Sequence, residues 1–201
     1  MNRHVVLPAL SALLAALLTG ACATAPTPRY YTLSPLAAAS PSPAGATDAP
    51  SLAIAPITLP AAVDRAEMVV RTAPNRVDVL DNHRWAESLR QEIARTVADD
   101  LARRLPGTRV AAYPQYAARD ARYTVLLDIQ RFESEPGQAA TLDVQWSLRR
   151  EADGRSRSGR TSVREATAGT DIDALAAAHS RALARLADDL AQAVRGDSAQ
   201  P

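Results

Sequence analysis

Between His83 and Leu105 an apolar side chain returns every fourth position, at Trp85, Leu89, Ile93, Val97, Leu101 and Leu105, and Ala86, Ala94 and Ala98 widen the stripe. Arg90, Arg95, Asp99 and Arg103 fall on other faces. The spacing predicts an amphipathic helix that must bury one side against something else. Asp81 or Asn82 is placed to accept hydrogen bonds from its free first-turn amides, Glu87 complements its positive end, and Pro106-Gly107 stops it. A second stripe, Leu175, Ala178, Ala182, Leu183, Leu186, Leu190 and Val194, predicts another long helix from Thr170, with Asp173 as a weak capping-box partner.

What the helices pack against is legible in period-two segments. Tyr30 to Leu33 reads as a brief strand, Leu52 to Ile57 as a buried one bounded by prolines, and Met68–Arg71 with Val77–Leu80 as a hairpin around Ala73-Pro74-Asn75. Val110 to Tyr113 is a short strand candidate. From Tyr123 to Phe132 apolar residues occupy both faces through Leu126 and Phe132, as for a central strand covered on both sides. Leu142, Val144, Trp146 and Leu148 alternate with polar residues, which predicts one wet face. Asp153-Gly154 turns into a polar edge strand from Arg157 to Thr167. Strands, helix, strands, helix means a mixed sheet with helices packed on it, in one α/β domain.

Composition narrows the chemistry. At 201 residues the chain holds one core, and its 23 basic against 22 acidic side chains, every basic one an arginine, leave no broad positive field for nucleic acid. Hydrophobic residues make up 47% of the chain but aromatics only 4%, so the layers are thin and alanine-rich. No His-Glu-x-x-His, Cys-x-x-Cys, glycine-rich phosphate loop or Gly-x-Ser-x-Gly elbow occurs, so no catalytic, metal-binding or cofactor-binding residue is assigned. His83 reads as a cap or surface contact and His179 as a core histidine. The pairs Asp99-Asp100 and Asp188-Asp189 point about 100° apart and read as solvated helix faces. Trp85 and Trp146 read as core. Tyr30 and Tyr31, beside the tether, are candidates to meet the membrane interface or a partner, with strand packing an equal explanation; Arg149, Arg150 and Arg157, diluted by Glu151 and Asp153, are candidates for anionic headgroups or an acidic partner.

The amino-terminal segment reads as an export signal: Arg3 and His4, then fourteen residues from Val5 to Leu18 without a charge, too few for the about 20 that span a bilayer. Leu17-Leu18-Thr19-Gly20-Ala21 leads directly into Cys22, the only cysteine. This resembles a bacterial lipobox, with Thr19 where leucine is commonest. The resemblance implies thioether lipidation of Cys22, removal of residues 1–21 and acylation of the new terminus. Several chains on one residue hold firmly, because each buried methylene contributes about 0.8 kcal/mol. Ala23, where aspartate signals inner-membrane retention, points to the periplasmic face of the outer membrane. Residues 22–29 are then a tether, 30–196 the domain with a flexible loop at 35–50, and 197–201 a disordered tail. If Tyr30 docks in the sheet, the tether reaches less than roughly 30 Å.

Taken in order, Cys22, Tyr30-Tyr31-Thr32-Leu33, LAIAPITLPAAVDRAEMVVR (52–71), RWAESLRQEIARTVADDLARRL (84–105), LLDIQRFE (126–133), LDVQWSL (142–148) and the final Ala/Leu helix resemble the PqiC/YmbA family of ABC-type transport auxiliary lipoproteins. Glu87-Ser88 stands where Glu-Pro often follows Trp-Ala. The resemblance implies a three-layer α/β fold. It also implies a non-enzymatic docking subunit that works with an MCE-type periplasmic protein and an inner-membrane permease and ATPase in lipid or hydrophobic solute transport and envelope integrity. A direct lipid carrier is the alternative, and a homo-oligomer is compatible with either.

Overall fold

The structure is a computed structural model that describes residues 27–36 and 50–198. The export signal, Cys22, most of the tether, and residues 37–49 of the loop lie outside the described residues. The strands divide between two sheets. One has three strands in the order β1 (Arg29–Tyr31), β4 (Arg76–Trp85), β3 (Glu67–Ala73); β1 runs parallel to β4, and β3–β4 is the expected antiparallel hairpin. The other has five, ordered β5 (Arg109–Ala112), β2 (Ser51–Ile54), β6 (Tyr123–Glu135), β7 (Ala139–Arg150), β8 (Ser156–Ala166). Its β5–β2–β6 half is parallel and its β6–β7–β8 half antiparallel. Helix α1 (Leu89–Arg104) packs on β5 and β2, helix α2 (Ile172–Ser198) packs on β7 and β8, and the helices pack on each other. The fold is a single mixed α/β domain without a closed barrel, the class read from the alternation of elements.

Several boundaries differ from expectation. The first helix begins at Leu89, not near His83, because residues 81–85 complete β4: Tyr31 pairs with Trp85, and the Trp85 amide donates to the Ala66 carbonyl at 2.8 Å. Ser88 therefore stands at the N-cap position, and Asp81 and Asn82 cap nothing. The second helix is capped by Asp171, whose Oδ1 accepts the Ala174 amide at 2.7 Å, rather than by Thr170 and Asp173.

β6 is not apolar on two faces. A bulge between Ile129 and Arg131 shifts the alternation by one residue. Tyr123, Val125, Leu127 and Ile129 before the bulge, and Phe132 and Ser134 after it, are therefore all buried, while Leu126 stays 47% exposed. Thr141 and Asp143 of β7 are also buried, so the wet face expected there is confined to Gln145 and beyond.

Trp146 lies over Gly159 on β8, where a Cβ would overlap the indole ring. Its Nε1 donates to Thr161 Oγ1 at 3.2 Å, and Thr161 donates to Asp189 of α2 at 2.6 Å. Sheet and helix are thus tied through Asp189, one of the carboxylates read from sequence as solvated.

Candidate functional site

The feature that organises the molecule is the segment that opens the described residues. β1 docks beside residues 83–85, which buries Tyr31 and leaves Tyr30 63% exposed. Tyr31 shares a 2.7 Å hydrogen bond between its hydroxyl and Nδ1 of His83, and the rings stack at 5.6 Å. Burial pushes the Tyr31 phenol above its usual range, and the nearby Asp173 carboxylate acts in the same direction, so the hydroxyl stays protonated.

Beyond Tyr31 the chain continues without regular structure to Leu36 as a strap held by both helices. The Leu33 amide donates to Glu92 Oε2, the Ser34 amide to Ser180 Oγ, and the Leu36 amide to Asp100 Oδ1, each at 3.1 Å. Glu92 and Asp100 have no exposed surface. With buried Thr96 they form a polar row every four residues on α1.

Burying a carboxylate is costly unless it is paired and hydrogen-bonded, and both conditions are met here. Arg95 reaches Glu92 at 3.0 Å, and Arg104 reaches Asp100 at 2.7 Å. Arg104 also donates to Asp188 at 2.6 Å and to the Ala184 carbonyl at 3.1 Å, which pins α1 to α2. Asp100 is therefore a buried acceptor and not the solvated residue expected, although its neighbour Asp99 is exposed. The signal was present in the sequence: Glu92, Thr96 and Asp100 interrupt the alanines bordering the apolar stripe at helical spacing.

Next to Ser180, which holds the strap, His179 belongs to an aromatic cluster. His179 of α2 is fully buried, stacks on Phe132 at 3.8 Å and 8°, and meets Trp85 edge-on at 6.4 Å. Its Nε2 shares a 2.8 Å hydrogen bond with Ser134 Oγ, and its Nδ1 has no partner among the described residues. Burial lowers its pKa to about 3, so the ring is neutral at ordinary pH.

A cleft of about 430 Å³ opens between strap and α2, lined by Tyr30, Thr32, Leu36, Asp173, Ala177 and Arg181. The arginines singled out from sequence are elsewhere and do not form one patch with the tyrosines. Arg150 pairs with Asp197 at 2.8 Å and Asp153 at 3.6 Å, the Arg157 guanidinium rests against Gly196, and Arg149 faces Glu151 at 3.4 Å. Arg150 and Arg157 thus clamp the last turn of α2, where cations complement the helix end. No group of three histidine, cysteine or acidic side chains among the described residues is arranged to hold a metal, and no described helix is long and apolar enough to cross a membrane.

The model of the family described as ABC-type transport auxiliary lipoprotein component matches residues 31–191. Among solved structures, an uncharacterized protein superposes with a TM-score of 0.70 at 18% identity, over 84% of this chain and 99% of that one. A Xanthomonas campestris protein of family-model DUF330 superposes with a TM-score of 0.63 at 24% identity, over 81% and 92%. At these identities the likeness is one of fold. No curated protein matches.

Proposed function

Since the chain belongs to the family of ABC-type transport auxiliary lipoprotein components, we propose that it is a docking subunit, lipidated at Cys22 and held on the periplasmic face of the outer membrane. From there it engages an MCE-type periplasmic protein and, through it, an inner-membrane permease and ATPase that move lipid or another hydrophobic solute. The observation that carries this reading is the strap. Its hydrogen bonds to Glu92, Ser180 and Asp100 tie the chain just beyond the tether into both helices, so a load on an anchored terminus passes to the core of the domain. The near-balanced charge and the lack of a phosphate-binding loop agree with an adaptor that leaves ATP hydrolysis to others.

Crosslinking in intact cells followed by affinity purification is expected to enrich an MCE-type protein with this chain. Recovery of none, with that partner shown to be expressed, would contradict the reading.

A further inference from the structure

Three of the chain's five tyrosines face solvent: Tyr30 at 63%, Tyr113 at 58% and Tyr116 at 79% exposure, whereas Tyr31 and Tyr123 are buried. Tyr30 lines a cleft that reaches Glu87, Ser88 and Leu89, and Tyr113 lines a second cleft bounded by Ser88, Arg90 and Gln91. Ser88 belongs to both, so the two rings flank the start of α1. Tyr113 sits on fixed backbone: its amide donates to the Ile54 carbonyl at 2.9 Å, and the Gln115 amide donates to Ala112 at 3.0 Å. Tyr116 opens the 3-10 turn that follows, with the Arg119 guanidinium 5.5 Å from its ring centre.

The charges around this helix end are largely paired, with Arg65 and Arg84 sharing one carboxylate and Arg119 set against the Tyr116 ring. Arg90 pairs with Asp64, Arg65 and Arg84 both pair with Glu67, and Arg95 pairs with Glu87. Exposed phenol rings among paired charges suit neither an anion site nor a dry protein core. They suit the polar interface of a bilayer, where tyrosine buries its ring at headgroup level and keeps its hydroxyl wet.

Chain length brings a bilayer within reach. β1 begins seven residues after Cys22, a span of about 25 Å at full extension, and the strap keeps β1 from peeling away. We infer that the end of the molecule carrying Tyr30 and Tyr113 around the start of α1, with Tyr116 on the turn that follows Tyr113, lies on the membrane interface, while the β3–β4 hairpin tip and the β8 edge are left for protein contacts. This orientation rests on the anchoring through Cys22 proposed above. A tether holds the domain at an effective concentration of order millimolar, so rings that bind weakly one at a time suffice, without anionic lipid.

The test uses residues 22–201, which contain every described element, produced with 3-fluorotyrosine. The protein is coupled through its only thiol to a maleimide phospholipid in phosphatidylcholine vesicles that carry a headgroup nitroxide. The fluorine resonances of Tyr30, Tyr113 and Tyr116 are expected to broaden severalfold more than those of Tyr31 and Tyr123. Broadening that misses Tyr113 or Tyr116, or that is equal at all five rings, overturns the orientation. Because the coupling is chemical, the outcome does not depend on whether cells acylate Cys22, which mass analysis of the cellular protein decides separately.

Discussion

Acidification from pH 6.5 to 4 is expected to cost the native protein about 3 kcal/mol more stability than it costs a His179→Leu variant. The unfolded chain binds a proton at the ordinary histidine pKa near 6.5, whereas burial holds the folded value at about 3. Well above pH 6.5 both states carry a neutral ring and the histidine adds no pH dependence. Below it the unfolded state takes up the proton first, so stability falls by about 1.4 kcal/mol per pH unit until the folded value is approached.

Carboxylates held below their usual range, such as Glu133 beside Arg131 and Asp143 beneath Ser162, lose stability at the acid end in both proteins, so the difference isolates His179. Leucine fills most of the space beside Phe132 and has no proton to bind. Urea unfolding at half-unit pH intervals reads the effect. Parallel curves for the two proteins would mean that the ring is solvated, or bonded at Nδ1 in a way the geometry does not contain.

The second large effect is expected at Glu92. Replacing it with alanine leaves the buried Leu33 amide without an acceptor and removes one of the two carboxylates that pair with Arg95, Glu87 remaining, which together should cost about 2 kcal/mol. The Leu33 amide should also lose protection in hydrogen exchange while Ile129, in the middle of β6, keeps its own. Glu92→Gln retains an oxygen acceptor for Leu33 and should recover most of the loss. A strap that stays protected in Glu92→Ala would show that burial of Leu33 and pairing of β1 hold it without the carboxylate.

The periodic elements were legible in the sequence because each needs only its own neighbours. The stripe from Leu89 to Leu105, the alternation of Val144, Trp146 and Leu148, and the hairpin around Pro74 all express local geometry. The misread helix start has a definite cause. Trp85 falls four residues before Leu89 and so continues the stripe, yet its burial comes from pairing β4 with β1, a contact across more than fifty residues that no local window contains. The bulge in β6 likewise hides Phe132 on the wrong face until the register of β7 is known.

At the strap, the strand through Tyr31 was legible, whereas the carboxylates that accept the Leu33 and Leu36 amides were not. Glu92 and Asp100 look like ordinary surface charges on an amphipathic helix until the strap is laid over them. The arginines of β7 and β8 look like a basic patch until Asp197 and Asp153 are brought to Arg150.

The account turns on the thiol at residue 22, because the roles proposed for the strap and the tyrosine-bearing end depend on lipidation there. Intact-mass and amino-terminal peptide analysis of the protein purified from its native envelope tests this most directly. The expected result is a chain starting at Cys22 that carries a thioether-linked diacylglyceryl group, and its absence from a Cys22→Ser variant. A mature chain with a free cysteine, or one cleaved at another position and released in soluble form, would contradict the account.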